Sequence, residues 1–168
     1  NVHSLENLRT VPDIPEKKFV YAHLILTHSS FVFNADGSYK EEIDESAESC
    51  FEQITYANEQ ILEIIQITLD RSATAPIIIL QADHGDVYAL GRNKLKILNA
   101  YHLPGGGDDL LYHSITPVNA FRLVFDYYFN SHLGFVENRS FITRPGTDEL
   151  VEVSPACNLQ ELIPLYAA

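Results

Sequence analysis

Four consecutive branched aliphatics, Ile77-Ile78-Ile79-Leu80, follow Pro76, and the run closes on Gln81-Ala82-Asp83-His84-Gly85. An unbroken aliphatic run of this kind predicts a strand covered on both faces, as in a parallel sheet. Phe19-Val20-Tyr21-Ala22-His23-Leu24-Ile25-Leu26 is a second such stretch, and it too ends in polar residues, Thr27-His28-Ser29-Ser30. Between them the period changes. Cys50, Ile54, Ala57, Ile61, Ile65 and Thr68 or Leu69 recur at steps of three and four, with Glu48, Glu52, Glu59, Glu63 and Asp70 largely off the stripe. This predicts an amphipathic helix of about 24 residues lying between about Ser46 and Arg71, about 36 Å long at 1.5 Å per residue. Strand, long helix and strand form a βαβ unit with parallel strands. The polar ends at His28 and at Asp83-His84 are then expected on one edge of the sheet, where open α/β folds bind ligands.

The remaining pattern adds flanking elements. Residues 1–17 read as a linker with one helical turn at Leu5–Leu8. Phe31-Val32-Phe33 leads into a turn at Asp36-Gly37, and Glu41–Glu45 reads as a solvated excursion. Leu95–Leu103 predicts a third strand, stopped by Pro104 and Gly105–Gly107. That glycine run lacks the Lys-Ser/Thr of a phosphate loop and the dinucleotide spacing, so it reads as a turn. Asp108–Tyr112 predicts a short helix. Thr116-Pro117 is a helix start, a capping residue followed by proline at the first helical position. Ala120, Phe121, Val124, Phe125, Tyr128 and Phe129 then predict an aromatic face packed against the sheet. Phe141–Thr143 and Glu149–Val153 predict short peripheral strands, and Leu162–Tyr166 an apolar tail docked on the body. The expected organisation is a linker over 1–17, an α/β core over 18–131, and peripheral strands with a tail over 132–168.

Composition narrows the function classes. With 168 residues, 46% hydrophobic and 20% charged, the chain has ordinary globular make-up and length for one domain. Its net charge of −12 argues against a nucleic-acid partner held through phosphates. No apolar run reaches the roughly 18–20 residues that span a bilayer. Cys50 and Cys157 form no metal motif and are either one disulfide or two thiols. The chain begins with Asn and contains no Met, as expected of a processed product or an excised piece of a longer protein.

The chemistry concentrates at three residues. Asp83 and His84 offer a carboxylate oxygen and an imidazole nitrogen, half of a divalent-metal site, although the same pair also serves as a turn cap with a histidine packed over it. His28 is the second candidate, and His23, inside its stretch, reads as a core imidazole. Arg92 and Lys94 could meet an anion, or simply be solvated. The acidic excursion does not match a calcium loop, and there is no Gly-x-Ser-x-Gly nucleophile elbow.

In order, Phe19–Leu26 with Thr27-His28-Ser29-Ser30-Phe31, the helix, Ile77–Gly85, Ile97–Gly105 and Ser114–Arg122 resemble the carboxy-terminal half of the alkaline-phosphatase-like superfamily, which includes sulfatases and phosphoglycerol or phosphoethanolamine transferases. The resemblance covers roughly residues 18–130. It implies an α/β fold, mainly a parallel sheet with helices on both faces, present as a partial domain. It further implies that Asp83 and His84 ligate manganese, zinc or calcium, and that His28 contacts substrate oxygens. Thr27, Ser29 and Ser30 stand where the family has prolines around that histidine. The family's nucleophile and remaining metal acids lie in an amino-terminal half that nothing here matches, and Cys50 lacks the sulfatase pattern. The implied function is a fragment of a metal-dependent hydrolase or phosphotransferase acting on sulfate or phosphate esters. The parent protein would be extracytoplasmic and tethered to a membrane through upstream segments. The other expectation is a non-catalytic structural or interaction domain derived from the same fold.

Overall fold

The computed structural model describes residues 1–85, 95–144 and 146–153, and the chain divides into two compact units, Asn1–Pro76 and Ile77–Ala168. Each has its own small core.

The first unit is built on the long helix that the three- and four-residue period predicts, Ala47–Arg71. Ser46 caps it, accepting a hydrogen bond from Ser49 N at 3.1 Å. An earlier helix, α1 (Val2–Thr10), packs against this one, α2, and buries Leu5 to 1% exposure. Arg9 secures the contact, donating to Gln60 Oε1 at 2.7 Å and Glu63 Oε2 at 2.6 Å. A 3-10 turn, Val11–Asp13, follows α1, and Asp13 pairs with Arg71 at the far end of α2. Two strands, β1 (Phe31–Phe33) and β2 (Tyr39–Asp44), form an antiparallel ribbon whose Phe31 and Phe33 are buried. The Asp36-Gly37 turn joins them. Ser38 N and Oγ both donate to Asp36 Oδ1, which holds that carboxyl below its usual range. Leu5, Leu26, Phe33, Ala57 and Ile64 make the core.

One polar side chain lies inside that core. Gln53, 2% exposed, uses both ends of its amide. Its Oε1 accepts from Val32 N at 2.7 Å and Phe33 N at 3.0 Å, and its Nε2 donates to Leu26 O at 2.7 Å and His28 O at 3.3 Å. A buried amide is costly unless paired in this way.

The second unit contains β3 (Ile78–Gln81) and β4 (Asn99–His102), paired antiparallel with Ile78 opposite His102 and Gln81 opposite Asn99. The helix α3 (Pro117–Phe129) starts where Thr116-Pro117 predicts, with Thr116 as cap, and ends on Asn130 in the left-handed region at φ 53°. Leu103, Leu123 and Val124 form the core, with Ile79, Tyr101, Leu111, Ile115 and Tyr128 packed around it. Asn119, fully buried, ties the next segment down: Nδ2 donates to Val136 O at 2.8 Å and Asn138 Oδ1 at 2.7 Å, and Oδ1 accepts from Val136 N at 2.9 Å. An antiparallel hairpin, β5 (Ser140–Thr143) with β6 (Leu150–Val153), closes the described part, and Arg139 grips Glu152 through two hydrogen bonds of 2.8 and 2.5 Å.

The expected parallel α/β sheet with helices on both faces is not what the chain forms. The described residues contain three α-helices and three separate two-stranded antiparallel sheets. The βαβ inference fails at its first strand: residues 19–26 join no ladder among the described residues, and Phe19 and Tyr21 are 86% and 79% exposed. The strand ribbon before α2 is instead Phe31–Asp44, so the acidic excursion is partly β2. The strand after α2 pairs with β4, not with anything upstream, and its Ile78–Leu80 are only half-buried. An aliphatic run specifies extended backbone, but neither the direction nor the identity of its neighbour. The face of α3 is also corrected. Ala120, Leu123 and Val124 point inward, whereas Phe121, Phe125 and Phe129 stack along an exposed side with ring centroids 6.5 and 5.9 Å apart. The region of 108–112 forms only a 3-10 turn, Asp108–Leu110. Arg92, Lys94, Cys157 and the tail at Leu162–Tyr166 lie outside the described residues.

Candidate functional site

Asp83 and His84 stand just past β3, which is extended by one further bond from Ala82 N to Leu98 O at 2.9 Å. Both side chains are accessible, 86% exposed for Asp83 and 49% for His84. His84 Nδ1 lies 2.8 Å from Gly85 O. A carbonyl only accepts, so the ring nitrogen facing it carries the proton. That leaves Nε2 with a lone pair, and Nε2 lies 3.8 Å from Asp83 Oδ2. A backbone carbonyl on the far ring nitrogen is how metal-binding histidines are commonly oriented.

The spacing can be tested against a cation. Two donors each about 2.1 Å from one ion stand roughly 3.0 Å apart at 90° and roughly 3.4 Å apart at the tetrahedral angle. The observed 3.8 Å therefore needs under about 1 Å of closure, which rotation of two exposed side chains supplies. An imidazole nitrogen and a carboxylate oxygen at this spacing are compatible with two ligands of a zinc-type site, whereas calcium takes oxygen ligands at longer distances. Among the described residues no group of three or more His, Cys, Asp and Glu comes together to complete one.

Close by on β4, Asn99 Oδ1 and Tyr101 OH are buried, and neither meets hydrogen-bond geometry with a described partner. The Tyr101 phenol is pushed up by burial, which the nearby Asn99 side chain partly opposes. Asn99 sits opposite Gln81, two residues before Asp83.

His28 belongs to the other unit, on the exposed Thr27–Ser30 loop. Its backbone is fixed by His28 N donating to Ile25 O at 3.2 Å and by the Gln53 amide on His28 O. Its ring Nδ1 faces Ser29 O, a carbonyl that can only accept, so a bond there requires the proton on Nδ1. With the parallel sheet gone, the shared edge that was to unite His28 with Asp83-His84 has no basis in topology; Asp83 and His84 are neighbours within the second unit. His23 is exposed, not the core imidazole expected of a strand interior.

Gln53 is the residue that hydrophobic patterning overlooks. It falls three positions after Cys50 and four before Ala57, on the buried stripe itself, while the expected Ile54 is only half-buried. A lone amide at a stripe position was the available sign.

Among the described residues no helix is long and apolar enough to cross a membrane. Compared with protein-family models, curated proteins and solved structures, the chain matches none.

Proposed function

We propose that this chain is part of a metal-dependent sulfatase-like hydrolase or phosphotransferase acting on sulfate or phosphate esters, with Asp83 and His84 as two of the metal's ligands and His28 as a contact for substrate oxygens. The observation that carries this reading is the His84 ring: Nδ1 is committed to Gly85 O, and Nε2 is turned to the same side as Asp83 Oδ2. A bound divalent cation would neutralise charge on the transferring group and lower the pKa of an attacking hydroxyl. The chain's own contributions are the oriented lone pair of His84, the carboxylate of Asp83 and the imidazole of His28. With Nδ1 held by Ser29 O, His28 can donate to an anionic oxygen only through Nε2–H of its imidazolium form. Cys50 lies buried within α2, and the reading assigns it no role as nucleophile.

Calorimetric titration with manganese, zinc and calcium tests the assignment. The chain is expected to bind at least one of these ions, and the Asp83→Ala, His84→Ala double variant to lose that binding. Equal binding by the two proteins would place the metal elsewhere.

A second reading, a non-catalytic interaction domain, is favoured by the exposed aromatic row Phe121, Phe125 and Phe129, together with Phe135 at 58% exposure. Metal titration separates the two, since an interaction domain has no use for the oriented His84 lone pair.

A further inference from the structure

Gln53 is the most deeply buried polar residue of the first unit, and the placement of its four hydrogen bonds is informative. Two go to amides of β1, at Val32 and Phe33; the other two go to carbonyls on either side of Thr27, at Leu26 and His28. The residue thus straddles the loop that carries His28 and ties both of its ends to one rigid support. That support is α2, a helix of 25 residues that is capped at Ser46 and packed against α1 and β1. Leu26, at 3% exposure, anchors the loop's start in the core, and Phe31, at 2%, anchors the chain just beyond its end. The loop itself is exposed from Thr27 to Ser30. An exposed, polar, four-residue loop would ordinarily be mobile. Here a carboxamide at its base satisfies the carbonyls that would otherwise let it swing.

The four bonds together satisfy the buried amide, and one of them is made to His28 itself. The two β1 amides and Leu26 O already occupy three of its four hydrogen-bonding positions. The fourth bond falls on the carbonyl of the one loop residue whose side chain carries acid–base chemistry. A contact to a substrate oxygen is useful only when its donor is held near one geometry. Placing the anchor on a helix instead of within the loop supplies that.

We propose that Gln53 is a positioning residue for His28: its buried carboxamide fixes the Thr27–Ser30 loop so that the imidazole meets an anionic oxygen at a set place. This rests on the reading of His28 as a substrate-oxygen contact, and the test separates the two.

The first measurement is backbone 15N relaxation on the unaltered chain. His28 is expected to show an order parameter near 0.85, as in rigid backbone; a value under about 0.6 would overturn the proposal. Two variants follow. Gln53→Met keeps the volume and removes all four bonds, whereas Gln53→Glu keeps the acceptor for Val32 and Phe33 and removes both donors. In either variant that retains the far-ultraviolet spectrum of α2, residues 27–30 should fall below about 0.6 while residues of α3 stay unchanged. Retention of order at His28 in such a variant contradicts the proposal. A residue that merely filled the core would lower the unfolding midpoint without loosening the loop in the folded chain. The second measurement titrates inorganic phosphate in the presence of manganese's diamagnetic substitute, zinc, and follows the His28 ring nitrogens. A ring shift that disappears in the Gln53 variants supports positioning for an oxyanion. No shift in the unaltered chain removes the oxyanion role of His28, and the relaxation result then reports solely on whether Gln53 holds the loop.

Discussion

At the residue scale, two buried carboxamides do what apolar side chains cannot. Gln53 and Asn119 each project from a helix and satisfy backbone groups beside it, Gln53 on β1 and the segment before it, Asn119 on the segment after α3. Truncating such a side chain loses its hydrogen bonds and strands their partners, so the cost exceeds that of removing a surface amide. Asn119→Ala is expected to destabilise the second unit by about 2–4 kcal/mol, because Val136 N and O lose their partner together. Urea unfolding followed by amide exchange at Val136 would measure it. A cost under about 0.5 kcal/mol would mean that water replaces the amide at no loss. Neither residue is visible to hydrophobic patterning, which counts Gln and Asn as surface. Asp83, His84 and His28 stand out in the sequence by residue type alone, but the orientation of the two rings does not: which ring nitrogen faces a carbonyl depends on Gly85 and Ser29.

At the element scale, turns and ion pairs give sharper predictions than the helices. Gly37 joins β1 to β2 at φ 83°, and a Cβ there would lie 2.6 Å from Tyr56 Cε2. Gly37→Ala therefore combines an unfavourable backbone region with a ring clash, and is expected to cost about 1–3 kcal/mol in thermal or urea unfolding. On the β5–β6 hairpin, Arg139 holds the Glu152 carboxyl below its usual range. A depressed carboxyl stabilises the fold above the unfolded-state value and loses that contribution as pH falls through the folded one. Glu152→Gln should thus lower the unfolding midpoint near neutral pH, and the gap to the unaltered chain should close below about pH 4. Because the pair is exposed, the gap should be small and should shrink in salt.

The elements with local determinants were readable. The stripe and Ser46 specify α2, Thr116-Pro117 specifies the start of α3, and β5 and β6 lie where short β-rich runs meet turn residues. What failed was pairing. Phe19–Leu26 has the composition of a strand, yet it has no ladder among the described residues, and Ile78–Gln81 runs antiparallel to Asn99–His102. Both outcomes depend on residues distant in sequence, which a local pattern does not contain. Likewise, α3 carries apolar side chains on more than one side, so its period did not single out Leu123 over Phe121 and Phe125 as the buried face.

At the scale of the whole molecule, the chain is two units with independent cores, Leu5-Leu26-Phe33-Ala57-Ile64 in one and Leu103-Leu123-Val124 in the other. Residues 1–76 contain every partner of α1, α2 and the β1–β2 ribbon described above, including Arg9 with Glu63 and Gln53 with His28. Expressed alone, this piece should keep the helical circular-dichroism signal of α2, and a random-coil spectrum would show that its core is insufficient. The functional claim rests on the second unit and on one oriented nitrogen. Long-range 1H–15N spectra of the histidine rings during zinc titration address it directly. His84 Nε2 is predicted to shift on zinc binding while Nδ1 keeps its proton against Gly85 O, with the change abolished by Asp83→Ala. A spectrum in which zinc leaves His84 untouched, or moves the proton to Nε2, would contradict the metal assignment.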